Sequence, residues 1–203
     1  MNNKKAKLDL LVTGVGGQGV VLASDIIGET ALMAGFDVKK TDALGMAQRG
    51  GSVTSHVRMA PKIWSPLIRD GEVDVLLAFE KLEAARWSHI LRPGGIVIIN
   101  DYEQPPQSVS LGQEIYPTKE EITAILKKQT DQVYFIDASE QARELGNIRT
   151  FNILMLGCFS VFAPLDVDTW KRSISQRLPE KIRDINLTAF DKGRKEMESV
   201  RIK

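Results

Sequence analysis

The stretch "VTGVGGQGVVLASDII", residues 12–27, limits what this chain can fold into more than any other. It follows an apolar run and sets Gly14, Gly16 and Gly19 in a G-x-G-x-x-G frame, with Gly17 and Gln18 inside it. In a strand–turn–helix, the first glycine permits a tight turn and the second lets backbone approach a ligand. The third lets the helix lie close to the sheet, and the helix N-terminus offers N–H groups to an anion. Gly17 removes another side chain from the turn, and Gln18 adds an amide. Three uses remain open on this motif alone: a phosphate cradle, a contact with a partner subunit, or close packing. A dinucleotide fold also needs an acid ~20 residues on, and Asp42, 23 residues after Gly19, satisfies that count.

The rest of the pattern alternates strand and helix. Residues 8–13 suit a strand buried on both faces, 18–34 carry apolar residues at helical spacing, and Gly35 stops that helix. Further strands are expected at 36–42, 53–59, 73–79, 96–100 and 133–137. "WSPLI" (64–68) is at most an edge segment because of its proline. Helices are expected at 80–91, from a Thr118/Glu121 capping box to about 129, at 138–145 and at 149–163. Two more should fill 166–200, broken near Pro179. "RPGG" (92–95) reads as a turn and "QPPQS" (104–108) as a loop. This implies an α/β fold, three-layered and Rossmann-like, with a mostly parallel sheet between helices and a helical C-terminal segment. The strand at 53–59 follows its predecessor without a helix, so antiparallel pairing is expected there. The 203 residues suit one domain, with 166–203 as its helical extension.

Composition narrows the function. A net charge of +1 gives no footprint for nucleic acid or an anionic membrane. The lone cysteine, Cys158, allows no internal disulfide and no iron–sulfur cluster held by this chain alone. His56 and His89 are too far apart in sequence for a metal-ligand spacing, so no metal is expected. No secretory leader is read in the N-terminal segment, and the longest apolar run, 153–163, falls short of the ~20 residues that span a bilayer. A cytoplasmic protein without membrane or nucleic-acid partners is expected.

The second informative stretch is "GMAQRGGS", residues 45–52. Flexible backbone at Gly50 and Gly51 beside the Arg49 guanidinium suits an anionic ligand or an acidic surface. Met46, Gln48 and Ser52 complete the group. His56 follows closely enough to reach the same place, although a structural histidine is the plainer reading. His89 reads as a surface residue, Cys158 as core, and Asn147 and Asn152 as a cap and a buried amide.

Together "VTGVGGQGVVLASDII" and "DALGMAQRGGSVTSHVRM" resemble the gamma-type subunit of the 2-oxoacid:ferredoxin oxidoreductases. The "MAQRGG" form is similar to the small (beta) subunit of the indolepyruvate branch. The resemblance continues through "DVLLAFEKLEAAR", "LRPGGIVIIN" and "ELGNIRTFNILMLG", covering roughly residues 8–165. It implies a subunit of an enzyme that oxidatively decarboxylates a 2-oxoacid with CoA, giving an acyl-CoA, CO2 and reduced ferredoxin. Thiamine diphosphate, Mg and [4Fe-4S] clusters would sit on a large partner subunit, and none would be bound by this chain. Gly14, Gly16, Gly17, Gln18 and Gly19 would form the CoA or partner-facing loop, and Met46, Gln48, Arg49, Gly50, Gly51 and Ser52 would face substrate or partner. A surface awaiting the large subunit would let the isolated chain self-associate. The alternatives are an NAD(P)-binding Rossmann oxidoreductase and a non-catalytic binding or scaffold module.

Overall fold

The computed structural model describes residues 7–44 and 50–201. Its six strands are β1 (Leu8–Val15), β2 (Asp37–Leu44), β3 (Ser52–Ala60), β4 (Val73–Ala78), β5 (Leu91–Asn100) and β6 (Val133–Ile136). They form one sheet in the order β2-β3-β1-β4-β5-β6. The pairs β1–β4, β4–β5 and β5–β6 are parallel, while β3 runs antiparallel to both β1 and β2. Among the described strands, β3 is thus the one that is reversed. Only residues 45–51 join β2 to β3, enough for a reversal but too few for a crossover that would keep them parallel.

Among the described residues, eight helices accompany the sheet: α1 (Val20–Met33), α2 (Lys81–Arg86), α3 (Gln107–Ser110), α4 (Lys119–Lys127), α5 (Ala138–Glu144), α6 (Phe151–Ser160), α7 (Val167–Arg177) and α8 (Arg183–Arg201). Side chains alternate along each central strand, and the alternation divides the core in two. Leu10 and Val12 of β1, Leu77 of β4 and Ile98 of β5 face a large core with α1, α6, α7 and α8. Leu11, Leu76, Val97 and Ile99 face a smaller one with Ala84 of α2 and Ile122 and Leu126 of α4. Trp170 anchors the large core, its ring 6.0 Å from Phe159 and 5.9 Å from Phe190. There α6 and α8 cross almost in contact: a Cβ on Gly157 would lie 2.1 Å from the Phe190 carbonyl, and one on Gly193 1.9 Å from that of Leu154. No helix among the described residues is long and apolar enough to cross a membrane.

Local chemistry explains both the agreements and the departures. The Thr118/Glu121 capping box forms in full at the start of α4. The helix expected over 80–91 is shorter, ending at Arg86 with a 3-10 turn, Ser88–Ile90, leading directly into β5. "RPGG" lies inside β5 as an irregularity, because pairing with β4 jumps from Val73↔Leu91 to Val75↔Ile96. "QPPQS" leads into the single-turn helix α3. "WSPLI" forms no strand.

Chain direction leaves an opening at one place. After β1 the chain passes through α1 towards β2, whereas after β4 it passes through α2, on the opposite face, to β5. The connections therefore part between the carboxyl ends of β1 and β4, where open α/β sheets form a ligand crevice.

Candidate functional site at the glycine turn

The glycine turn sits at that parting, and its parts have separate duties. The Gln18 side chain turns inward: its Oε1 accepts the Val15 N–H at 2.8 Å and its backbone N–H donates to the Val15 carbonyl at 3.1 Å. Its Nε2 donates to Gln104 Oε1 at 3.3 Å. Gln18 therefore braces the turn from within. A Cβ on Gly14 would lie 2.7 Å from that Oε1 and 3.0 Å from Phe79 and Val20, so Gly14 serves close packing. Gly19 has φ +84°, and its Cβ would lie 2.3 Å from Asn152 Nδ2, so a side chain there would have to displace the Asn152 amide from between α1 and α6. Gly17 differs. Its φ is +101°, and a Cβ there would meet nothing within 4 Å.

α1 begins at this turn without a side-chain cap, and no acid lies in its first turn. Its first N–H groups and the positive end of its dipole are thus left uncompensated by side chains. Clefts open on both sides of the turn. One, of about 290 Å³, lies between Gly16–Gly17 and a wall of Tyr102, Ser139, Ile148, Arg149 and Phe151. The other, of about 300 Å³, is lined by Val15, Val21, Leu44 and Val53. Arg149 is exposed, and its guanidinium has no hydrogen-bond or ion-pair partner among the described residues. Ser139 is held in place by Asn100, which donates from Nδ2 to its Oγ at 2.8 Å and accepts its N–H at 3.1 Å.

The two glycine motifs meet, since the Gly16 N–H donates to the Gly51 carbonyl at 2.8 Å. Gly50, at φ +81°, has open space around it. Ser52 points elsewhere: its hydroxyl donates to Glu83 and receives Trp87 Nε1–H at 3.4 Å, tying the start of β3 to α2. Met46, Gln48 and Arg49 lie outside the described residues.

Behind the turn is a buried carboxyl, Glu80, which caps α2 by accepting the Glu83 N–H at 2.9 Å. It also accepts the Gln104 N–H at 3.2 Å and the Tyr116 hydroxyl. Burial raises the Glu80 pKa, with hydrogen bonds from Tyr116, Glu83 and Gln104 opposing the rise. Burial and the neighbouring carboxylate push the Tyr116 hydroxyl far above its ordinary range, so it stays a donor. Glu80, Gln104 and Gln18 form a continuous hydrogen-bonded support from α2 to the glycine turn.

Other sequence candidates have structural partners. Asp42 accepts from Ser55 at 2.6 Å and pairs with Lys40 at 3.0 Å. Because β3 stands between β1 and β2, Asp42 is a full strand further from the turn than the ribose-binding acid of a dinucleotide fold. His56 is buried in β3, where its Nδ1 faces the Ile68 N–H at 3.4 Å; burial and Arg58 lower its pKa. His89 stacks on Trp87, and Cys158 is buried beside the Gly193 carbonyl at 3.2 Å. Asn147 caps the 3-10 turn Ile148–Thr150. No group of three or more His, Cys, Asp or Glu among the described residues could hold a metal ion. Sequence reasoning missed Arg149, Tyr102 and Ser139, which come to the turn from distant segments.

An open α/β sheet with a glycine turn at its crevice, and an arginine across the cleft that has no partner among the described residues, defines a Rossmann-like domain. The family model for pyruvate ferredoxin/flavodoxin oxidoreductase matches residues 9–196, and the chain belongs to that family. It is 37% identical over 188 residues to the indolepyruvate oxidoreductase subunit IorB of Pyrococcus horikoshii, covering 91% of this chain and 93% of that protein. The corresponding Archaeoglobus fulgidus subunit is 38% identical over 189 residues, covering 92% and 94%. The fold matches the keto/oxoacid ferredoxin oxidoreductase gamma subunit from Geobacter sulfurreducens, with a TM-score of 0.71 at 22% identity, over 95% of this chain and 99% of that one. It also matches 2-oxoglutarate:ferredoxin oxidoreductase from Magnetococcus marinus, solved with 2-oxoglutarate, coenzyme A and succinyl-CoA bound. There the TM-score is 0.75 at 23% identity, over 97% of this chain and 32% of that one. This chain is a gamma-type subunit of a 2-oxoacid:ferredoxin oxidoreductase.

Proposed function

We propose that this chain is the small subunit of an indolepyruvate (arylpyruvate):ferredoxin oxidoreductase, and that its glycine turn receives the phosphates of CoA. The reaction is arylpyruvate plus CoA plus two oxidised ferredoxins, giving arylacetyl-CoA, CO2, two reduced ferredoxins and a proton. The indolepyruvate assignment rests on the IorB relatives, which match over nearly their whole length. Thiamine diphosphate, Mg and iron–sulfur clusters fit a large partner subunit. Cys158, the chain's one cysteine, is buried between α6 and α8 and cannot assemble the ~4 thiolates that a cluster needs. Ferredoxin would meet the complex through that partner.

The observation that carries the CoA reading is the cleft at Gly17, with the uncapped start of α1 on one side and the unpartnered Arg149 on the other. CoA brings several phosphate charges. Backbone N–H groups and a guanidinium bind such oxygens without a metal. Gln18 and Ser139, each fixed by neighbours, set the shape of the cleft. Gly50 and Gly51 stand beside this edge, and with Met46, Gln48 and Arg49 they would face the partner's active site. The position of Asp42 counts against the nicotinamide reading.

Arg149→Ala in the assembled two-subunit enzyme tests this. Loss of a charged hydrogen bond of about 1.5–3 kcal/mol should raise the KM for CoA roughly 10- to 150-fold, with the KM for indolepyruvate little changed. An unaltered CoA KM would remove Arg149 from the site.

A further inference from the structure

The opposite end of the sheet carries a second open surface. A groove of about 490 Å³ lies against the start of β1, the end of β3 and the connection from 61 to 72. In it Trp64 is 88% exposed and Leu67 59% exposed. The segment that displays them is firmly held. Arg58 grips Asp9 through two hydrogen bonds, at 2.9 and 3.0 Å, and donates to the carbonyls of Ser65 and Leu67 at 3.3 and 3.1 Å. The Ile63 N–H donates to Asp37 at 2.8 Å, and the Ile68 N–H faces His56 Nδ1 at 3.4 Å. Both isoleucines are buried. The backbone on either side of Trp64 is therefore fixed while its indole stands in solvent, so docking there costs little further ordering.

The charge around the indole is predominantly positive. Four basic residues line the groove, Lys7, Arg58, Lys62 and Arg69, against Asp9 and Glu72. Asp9 is already paired with both Lys7 and Arg58. Lys62 sits 5.1 Å from the Trp64 ring centre, and neither it nor Arg69 has a carboxylate partner among the described residues. We propose that this groove docks an acidic surface of the large partner subunit, with a pocket on that subunit receiving Trp64. This rests on the subunit reading above and adds a second attachment, remote from the glycine turn. A second copy of this chain fits poorly, because a two-fold contact would bring Lys62 and Arg69 against their own counterparts. An acidic partner relieves that repulsion, and an exposed tryptophan fixed on a rigid loop is a typical binding anchor.

The test uses the assembled two-subunit enzyme. Trp64→Ala should weaken association of the subunits about 30-fold or more. The double variant Lys62→Glu/Arg69→Glu should weaken it too, more at low salt than at high salt. Hydroxyl-radical labelling should find Trp64 reactive in the isolated chain and protected in the complex. Equal labelling in both states, or unchanged affinity in both variants, would overturn the proposal. So would protection that grows with the concentration of the isolated chain, which would identify a second copy as the occupant. A complex that turns over with Trp64 still reactive ends this inference and leaves the proposed function standing. Failure of the two subunits to associate at all ends both.

Discussion

Replacing Gly17 with alanine separates ligand approach from folding. The new methyl would meet no protein atom within 4 Å, so the structural cost is only that of a non-glycine residue at φ +101°. A left-handed backbone costs about 1–2 kcal/mol, which for a chain of this size lowers Tm by roughly 2–8 °C. The methyl would nevertheless stand in the cleft where a phosphate must come close to backbone. The KM for CoA should therefore rise at least tenfold while the complex still assembles. Gly19→Ala is the matched contrast. It carries the same kind of backbone penalty at φ +84° and drives its Cβ to 2.3 Å from Asn152 Nδ2. Its total cost should be roughly 3 kcal/mol, about 6–12 °C in Tm. Adding Asn152→Ala should recover the overlap part and leave the backbone part. Thermal unfolding of the isolated chain and steady-state kinetics of the complex read both effects. A Gly17→Ala enzyme with normal CoA kinetics would refute the claim that ligand approaches the turn at Gly17.

Two further outcomes follow from the buried groups. Glu80 holds its proton to higher pH in the folded chain than in the unfolded one, so its contribution to stability falls as pH rises from 4.5 through its raised value. Glu80→Gln removes that fall; the difference in unfolding free energy between the parent and the variant should decline across this window in urea titrations, and an increase would contradict the burial argument. Gly193→Ala would place a methyl 1.9 Å from the Leu154 carbonyl, forcing α6 and α8 apart. A loss of about 3 kcal/mol is expected, and a Tm within roughly 2 °C of the parent would show that the crossing is not as close as described.

Much of the scaffold was legible in the sequence because local chemistry governed it. The capping box at Thr118, the stop at Gly35 and the break at Pro179 each depend on residues within a few positions. The reversal of β3 was legible too, since residues 45–51 leave no room for a crossover helix. The site was legible only in part. The glycine frame gave its floor. Its walls, Tyr102, Ser139 and Arg149, arrive through tertiary packing that spacing along the chain does not encode. Gln18 reads from the sequence as an amide added to the turn, and in the fold that amide is held by Val15 and Gln104. The available signal for Arg149 was an arginine at the mouth of an apolar helix, and the nearest acid in sequence, Glu144, is taken up by Lys192 only in the folded chain.

The most direct measurement of the central claim is anaerobic purification of this chain with its partner subunit, followed by assay of viologen reduction by indolepyruvate with and without CoA. The account predicts a brown complex with a cysteine-rich partner and a reduction that depends on both indolepyruvate and CoA. A colourless chain that stays alone and binds a nicotinamide dinucleotide would contradict it.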